Sequence, residues 1–322
     1  MSNHDVFTEN LLVKVAWYYY KDNLTQTEIS DLLNLSRNKV VRLLDRARAE
    51  NIVSFHIKGH GVNCLEIEHK LIDAFKIPRT FVIPTPKNEL SRSLSKAAAQ
   101  YIENNIRDNE LLGFGWGEAA SRTIESLTID PSMAVSMVTL TGGVNYYFHK
   151  RDYSLEGGLD KFKGGIHVIP APFLASTEEM AKNMLTEPSV KNILDLASLS
   201  NHVVVGIGGL SSTSTIIKEE KMTLNELIYI KNQNAVGDIL GQFFDAEGHI
   251  LELPHHNRLI GTQLSTLKKL NNVIGVAGGP DKVDAIFGAL KGGYIDTLIT
   301  DEETARALIK KEVSLNGIHP SP

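Results

Sequence analysis

The chain has a single cysteine, Cys64, in 322 residues. One thiol excludes an internal disulfide and fits a reducing compartment. No apolar run approaches the roughly 20 residues that a membrane-spanning helix needs. The stretch MSNHDVFTEN at the start lacks the basic-then-apolar order of a signal peptide. Eleven histidines are scattered without zinc spacing, and the pair His255-His256 reads as a polar loop rather than a metal site. No catalytic set stands out: Asp238, Asp245, His256 and Lys282 can be drawn as acid and base, but nothing in their spacing demands it. The expectation is a cytoplasmic globular chain without metal or cofactor.

Positive charge is also scarce, with a formal net charge of −5. The deficit is uneven. Residues 1–58 carry eight Lys and Arg against seven Asp and Glu, a balance of +1, while the remainder stands at −6. A hydrophobic fraction of 42% over this length suffices for two domains, and we place the boundary at about residue 60. A protein of this kind would bind nucleic acid through a local patch and in several copies.

That patch lies between Thr25 and Arg48. Thr25 and Glu28 have the spacing of a capping box, which starts a helix by satisfying its free N–H groups. Ile29, Leu32 and Leu33 give this helix an apolar side. Asn34-Leu35 breaks it, and Ser36 is a good N-cap for a second helix. On the second helix Val40, Leu43, Leu44 and Ala47 face inward, while Arg37, Asn38, Lys39, Arg42, Arg46 and Arg48 take the other faces. The pattern is that of a helix-turn-helix, whose second helix lies in the major groove of DNA. The candidate DNA contacts are Thr25, Gln26, Ser36, Arg37, Asn38, Lys39, Arg42 and Arg46. Helix pairs with a basic face also occur in proteins that never touch DNA; the cap, the short bend and the polar residues at the helix start together favour DNA. The aromatic stripe Trp17-Tyr18-Tyr19-Tyr20 on a preceding helix is expected to pack in the core. Alternation at Val53, Phe55 and Ile57 predicts a short β-ribbon, making a winged variant.

Beyond a helix at Cys64–Phe75 the texture changes to strands alternating with helices. Candidate strands are Thr80–Ile83, Leu111–Gly115, Ala134–Leu140, Ile166–Ile169, His202–Ile207, Val273–Ala277 and Thr297–Thr300. Helical stretches are Leu94–Ile106, Ala119–Leu127, Val190–Leu199 and Lys282–Leu290. This order argues an α/β fold with a parallel sheet covered on both faces. Four strands end in glycine-rich turns, at Gly113–Glu118, Thr141–Gly143, Gly206–Gly209 and Gly278–Lys282. Such turns at the carboxyl ends of parallel strands suit an anionic ligand, although glycine also serves turns for geometry alone. The lysine just past the last turn fits a small phosphorylated ligand better than a nucleotide. Asp238, in Asn234-Ala235-Val236-Gly237-Asp238, is equally able to cap a helix.

The chain resembles the SorC/DeoR-type sugar-binding transcriptional regulators over nearly its full length. The resemblance runs through LTQTEISDLLNLSRNKVVRLLDRARAENIV, LLGFGWGEA, VTLTGG, VIPAP, VVVGIGG, AVGDILGQFFDAEG, HNRLIG and GVAGGPDKVDAIFGALKGGYIDTLITDEETA. It implies a helix-turn-helix domain at 1–60. It also implies a Rossmann-like domain at 61–322, similar to sugar-phosphate isomerases, that senses an effector and assembles the protein. The implied molecule is a repressor that binds operator DNA as a dimer or tetramer and answers to a phosphorylated sugar-like effector. Carried over by motif, phosphate would sit at Gly115, Trp116, Gly117 and Glu118 and at Thr141, Gly142 and Gly143. Asp238 would take sugar hydroxyls beside Leu240, and Lys282 would meet phosphate. Some relatives carry a threonine where this chain has Ala119, so either Ser121 or Thr123, or backbone N–H groups alone, would serve the phosphate. A sugar-phosphate isomerase or deaminase with a DNA-binding appendage is the alternative from another class.

Overall fold

The computed structural model describes residues 3–50, 52–53, 62–143, 147 and 160–315. Contacts divide the chain into two compact units, Met1–Gly59 and His60–Pro322.

The first unit holds helices α1 (Asn3–Tyr20), α2 (Gln26–Leu33) and α3 (Arg37–Ala49). Leu12, Val15, Ala16, Ile29, Val40, Leu43, Leu44 and Ala47 form its buried core. The inward face of α3 is the one the apolar spacing predicts. Leu32, expected inside, is 58% exposed. At about 100° per residue, Leu33 falls some 40° from the buried Ile29 and Leu32 about 60° away on the other flank, so a helix of two turns cannot bury both. The aromatic stripe also differs from expectation: Trp17 is 56% exposed, and Tyr18, Tyr19 and Tyr20 lie half-buried against the core. Leu12, Val15 and Ala16 already fill the inward positions of α1. The ribbon expected at 52–57 falls largely outside the described residues.

The second unit begins with α4 (Val62–Phe75) and, among the described residues, holds ten strands. They are β1 (Arg79–Ile83), β2 (Leu111–Phe114), β3 (Ser136–Thr139), β4 (Gly165–His167), β5 (His202–Gly206), β6 (Gly208–Gly209), β7 (Gly237–Ile239), β8 (Gln242–Phe244), β9 (Val273–Val276) and β10 (Thr297–Asp301). Seven make one parallel sheet in the order β1-β10-β9-β5-β2-β3-β4. These are the seven strands read from the sequence. Every residue of β2, β9 and β10 is buried, which is why they read as continuous apolar runs rather than alternations. Helices α5 (Leu90–Glu103) and α6 (Glu118–Ser126) cover one face with Ala98, Ile102, Ala120 and Ile124, against Leu112, Phe114 and Val204. On the other face Ile286, Phe287, Ala305 and Leu308 pack with Val203, Val205 and Leu298.

The chain leaves β2 outward toward β3 and β4, and leaves β5 the opposite way toward β9 and β10. The β2–β5 seam is therefore where strand order reverses, and crevices for ligands open at such seams beyond the strand ends. Three short strands, β6, β7 and β8, form a separate antiparallel sheet. This sheet was not foreseen. Asp238 belongs to β7 and caps no helix. The helices Glu178–Thr186, Leu224–Asn232 and Glu302–Leu315 also go beyond the sequence reading.

Gly142 shows how tightly the strand ends are packed. A Cβ there would lie 2.3 Å from the carbonyl oxygen of Pro172 and 2.5 Å from that of Ala171. Backbone cannot yield as a side chain does, so Gly142→Ala should cost about 1–3 kcal/mol. Urea unfolding followed by circular dichroism checks it, and an unchanged midpoint would contradict the packing described.

Candidate DNA interface and effector pocket

In the first unit the cap geometry sets the start of each helix. The Thr25 N–H donates to Glu28 Oε2 at 2.7 Å, and the Glu28 N–H donates back to Thr25 Oγ1 at 3.3 Å. The Thr25 hydroxyl is thereby engaged in the cap, and Gln26 follows as the first residue of α2. Asn34 adopts a left-handed conformation that ends α2, and the Leu35 N–H returns to Ser30 O at 2.9 Å. Ser36 Oγ then accepts from the Lys39 N–H at 3.3 Å. Arg37, Asn38, Lys39 and Arg42 are exposed and, among the described residues, carry no side-chain ion pair. Ser36, Asn38, Lys39, Arg42 and Arg46 border one groove. Two basic residues of α3 have their charge engaged by neighbours, one of them at the groove's edge. Arg46 pairs with Glu50, and Arg48 donates to Tyr20 Oη at 2.6 Å while lying over its ring. The free positive charge is thus concentrated on the first half of α3.

In the second unit the pocket is organised by Gly206-Ile207-Gly208-Gly209, which leaves β5 at the seam. A Cβ on Gly206 would lie 3.5 Å from Ala119 Cβ, one on Gly208 would lie 2.0 Å from Asp238 Oδ1, and one on Gly209 would lie 3.5 Å from Lys282 Cγ. The start of α6, the Asp238 carboxylate and the Lys282 stem therefore all rest on one strip of bare backbone. Leu240 joins them from the side, since a Cβ on Gly115 would approach its Cδ2 to 2.7 Å.

Gly117 caps α6 at φ 122°, a conformation that favours glycine, and supplies no side chain to the helix end. The first-turn N–H groups of α6 and the helix dipole then face the seam, as an anion requires. The hydroxyls weighed against Ala119 do not reach it. Ser121 Oγ donates to Glu118 O at 3.3 Å, and Thr123 Oγ1 to Ala119 O at 2.7 Å. Backbone donors remain for this loop. The Trp116 side chain is buried, stacked on Phe173 with ring centroids 4.3 Å apart. Thr141–Gly143 sits behind that stack, a Cβ on Gly143 meeting Phe173 Cβ at 3.1 Å. Two of its three amides are committed: Gly142 N donates to Ile260 O and Gly143 N to Ala171 O, both at 2.9 Å. The Thr141 hydroxyl lies 2.7 Å from Tyr147 Oη. This stretch forms a wall behind the stack of Trp116 on Phe173, with both glycine amides turned to neighbouring carbonyls.

The Lys282 loop is anchored by a network that sequence reasoning missed. Asp301, buried at the end of β10, accepts from Thr304 Oγ1 at 2.5 Å and from Thr85 Oγ1 at 2.7 Å. Thr304 Oγ1 in turn accepts the Gly279 N–H at 2.7 Å. The sequence carries Asp-x-x-Thr at 301–304, but the glycine turn that it anchors meets it only in the fold. His256 also proves structural: its Nε2 accepts the Phe243 N–H at 2.8 Å, and burial holds its pKa down at about 4. Among the described residues no cluster of His, Cys, Asp and Glu could hold a metal ion.

Burial raises the Asp238 pKa to about 6, against the Gly241 N–H that it accepts at 3.1 Å and the nearby Lys282. Burial lowers Lys282 below the ordinary lysine range, while Glu118 and Asp238 pull it upward. Because the folded pKa of Asp238 lies above its ordinary 3.8, its contribution to stability is full below about pH 4 and is lost as pH rises through about 6. Asp238→Asn, neutral at every pH, should raise stability at about pH 8 by up to ~3 kcal/mol and leave it unchanged near pH 4. Thermal melts at the two pH values check this, and equal shifts at both would refute it.

Three comparisons with known proteins bear on this arrangement. The family model Sugar-bind, "Putative sugar-binding domain", matches residues 60–310. The transcriptional regulator LsrR of Escherichia coli is 36% identical over 317 residues, covering 96% of this chain and 98% of that protein. LsrR of an Enterobacter species is 35% identical over 306 residues, covering 94% and 93%. The crystal structure of the full-length sorbitol operon regulator SorC from Klebsiella pneumoniae superposes with a TM-score of 0.69 at 25% identity, covering 93% of this chain and 98% of that one. A DeoR family regulator from Listeria monocytogenes shares the fold of the second unit, with a TM-score of 0.67 at 21% identity over 76% of this chain and 98% of its own. A relative matched along its whole length and a family model spanning the second unit leave one assignment: the chain belongs to the SorC-type sugar-binding transcriptional regulators, and is a regulator rather than an enzyme.

Proposed function

We propose that this protein is a repressor whose operator binding is relieved by a phosphorylated sugar-like effector. The convergence of the α6 N-terminus, Asp238 and Lys282 on the bare strip Gly206–Gly209 carries this reading. Phosphate would take the first-turn N–H groups of α6 and the Lys282 ammonium, with Asp238 receiving sugar hydroxyls and Leu240 closing the side. An ionised carboxylate only accepts hydrogen bonds, which suits hydroxyls and repels phosphate. Residues 1–60 would bind DNA, and 61–322 would hold the effector and assemble a dimer or tetramer in the cytoplasm. The likeness to LsrR, including KVAWYYYKDNLTQTEISDLL and AVGDILGQFFDAEGHI, makes phospho-autoinducer-2 the first compound to test. The likeness to a sorbitol operon regulator supports a second reading, with a pentitol or hexitol phosphate as effector.

Lys282→Ala should weaken phosphorylated ligands by roughly ten- to a hundredfold, from the loss of ~1.5–3 kcal/mol in charge-assisted bonds. Its effect on the unphosphorylated parents should be small. Calorimetry checks this, and equal affinity of the wild type for both forms would remove phosphate from the reading.

Arg37→Ala and Arg42→Ala should each weaken operator binding, by about 1–3 kcal/mol where the side chain reads a base. Electrophoretic shifts at matched salt check this. Unchanged affinity in both variants would sink the assignment of α3 as the recognition helix.

A further inference from the structure

The turn that carries Lys282 is held at both ends. At its end a Cβ on Gly209 would come within 2.8 Å of the Asp281 carbonyl oxygen, so the turn lies against the bare strip. At its start the Gly279 N–H donates to Thr304 Oγ1 at 2.7 Å. A hydroxyl has one proton, and that of Thr304 goes to Asp301 Oδ1 at 2.5 Å. The direction of this relay is therefore fixed, from amide to hydroxyl to carboxylate. Asp301 is 1% exposed and also accepts from the Thr85 hydroxyl at 2.7 Å and the Thr304 N–H at 3.3 Å. Its Oδ1 lies 2.4 Å from where a Cβ on Gly278 would stand. Thr304 is in the first turn of the helix Glu302–Leu315, whose Ala305 and Leu308 are fully buried. A rigid element thus presents the hydroxyl.

These contacts also decide what the turn can offer a ligand. The Gly279 N–H is engaged by Thr304, Pro280 has none, and the Lys282 N–H closes on Gly279 O at 3.1 Å. The cation of the turn is the Lys282 side chain, whose stem runs beside Gly209. Gly279 has φ 103°, and glycine is too permissive to hold such a conformation by itself. The bond to Thr304 supplies the hold.

We propose that Thr304 is a positioning residue for Lys282, and that its hydroxyl sets the preference for phosphorylated over unphosphorylated sugars. This rests on the effector site proposed above. Thr304 touches no ligand in this scheme and acts only through the turn.

The test is calorimetry on the full chain with ribose 5-phosphate, inorganic phosphate and ribose as probes. Thr304→Val keeps the branched shape and leaves the Gly279 N–H without its acceptor. It should weaken both phosphate probes by about three- to tenfold, part of what losing the lysine costs, and ribose by less than about twofold. Thr304→Ser, which keeps the hydroxyl, should restore the wild-type preference. On a Lys282→Ala background Thr304→Val should cost nothing more, because the group it positions has gone. Thr304→Ala serves the same comparisons if the valine variant does not fold. Equal losses for ribose and ribose 5-phosphate would overturn the proposal, since the role would then be structural alone. So would a further loss on top of Lys282→Ala. The two levels separate cleanly. If the wild type binds neither phosphate probe, or Lys282→Ala binds them as wild type does, the effector site fails and takes this proposal with it. If Lys282→Ala loses the preference while Thr304→Val keeps it, the positioning role alone fails.

Discussion

The second unit depends on a stretch of backbone that carries almost no side chains. Gly206, Gly208 and Gly209 lie where the strand order of the sheet reverses; a Cβ at Gly208 would collide with the Asp238 carboxylate and one at Gly209 with the Asp281 carbonyl, while Ala119 and the Lys282 stem lie in ordinary contact with the strip. Ala119 comes from the helix after β2, Asp238 from the antiparallel β7, and Lys282 from the turn after β9. These three parts of the chain lie far apart in sequence and share no hydrogen-bond ladder beyond the short pairing of Gly208 with Asp238. A side chain at Gly208 would occupy the place of the carboxylate. The place of the Asp238 carboxylate is therefore set by an exclusion rule. Directed bonding, through Asp301, Thr304 and Gly279, then fixes the Lys282 turn in place.

The two units were legible to different degrees, for physical reasons. In the helix-turn-helix the information is local. Thr25 and Glu28 sit three residues apart and bond reciprocally, Ser36 caps its own helix, and the spacing of Val40, Leu43, Leu44 and Ala47 defines one buried face. The inner strands β2, β9 and β10 were equally open to reading, because burial on both faces demands uninterrupted apolar runs. The small sheet was hidden: strands of two or three residues such as Gly208-Gly209 or Gly237-Asp238-Ile239 carry no measurable alternation. The helix at Leu224–Asn232 was announced by Thr223 and Glu226, a capping box of the same form as Thr25 and Glu28, and that signal went unused. The commitments of the Gly142 and Gly143 amides were beyond reach, since the partner carbonyls of Ile260 and Ala171 are adjacent only in the fold.

Electrostatics in the pocket is settled by competition rather than by net charge. Glu118 and Asp238 both support the charge on Lys282, yet burial opposes ionisation of Lys282 and Asp238 alike. The two carboxylates differ in how they are held. Asp238 is confined in the strip and accepts a backbone N–H, whereas Glu118 sits at a helix end with a partly exposed side chain. The first is built to stay, and the second is free to be steered.

Leu240 shows the limits of reading such a site as a stable fold with a ligand added. It joins β7 to β8 with Gly241, and both residues have positive φ, 55° and 78°. A two-residue hairpin of this kind is the natural home of Asn-Gly, and a leucine in that conformation costs about 1–2 kcal/mol. Asparagine at this position would relax the backbone and leave Gly115 without its apolar cover. The chain thus keeps a residue that opposes its own turn, 3% exposed and pressed on the loop that leads into α6. Thermostability engineering guided by turn preference would change this residue early, and would trade the shape of the pocket for a more comfortable backbone.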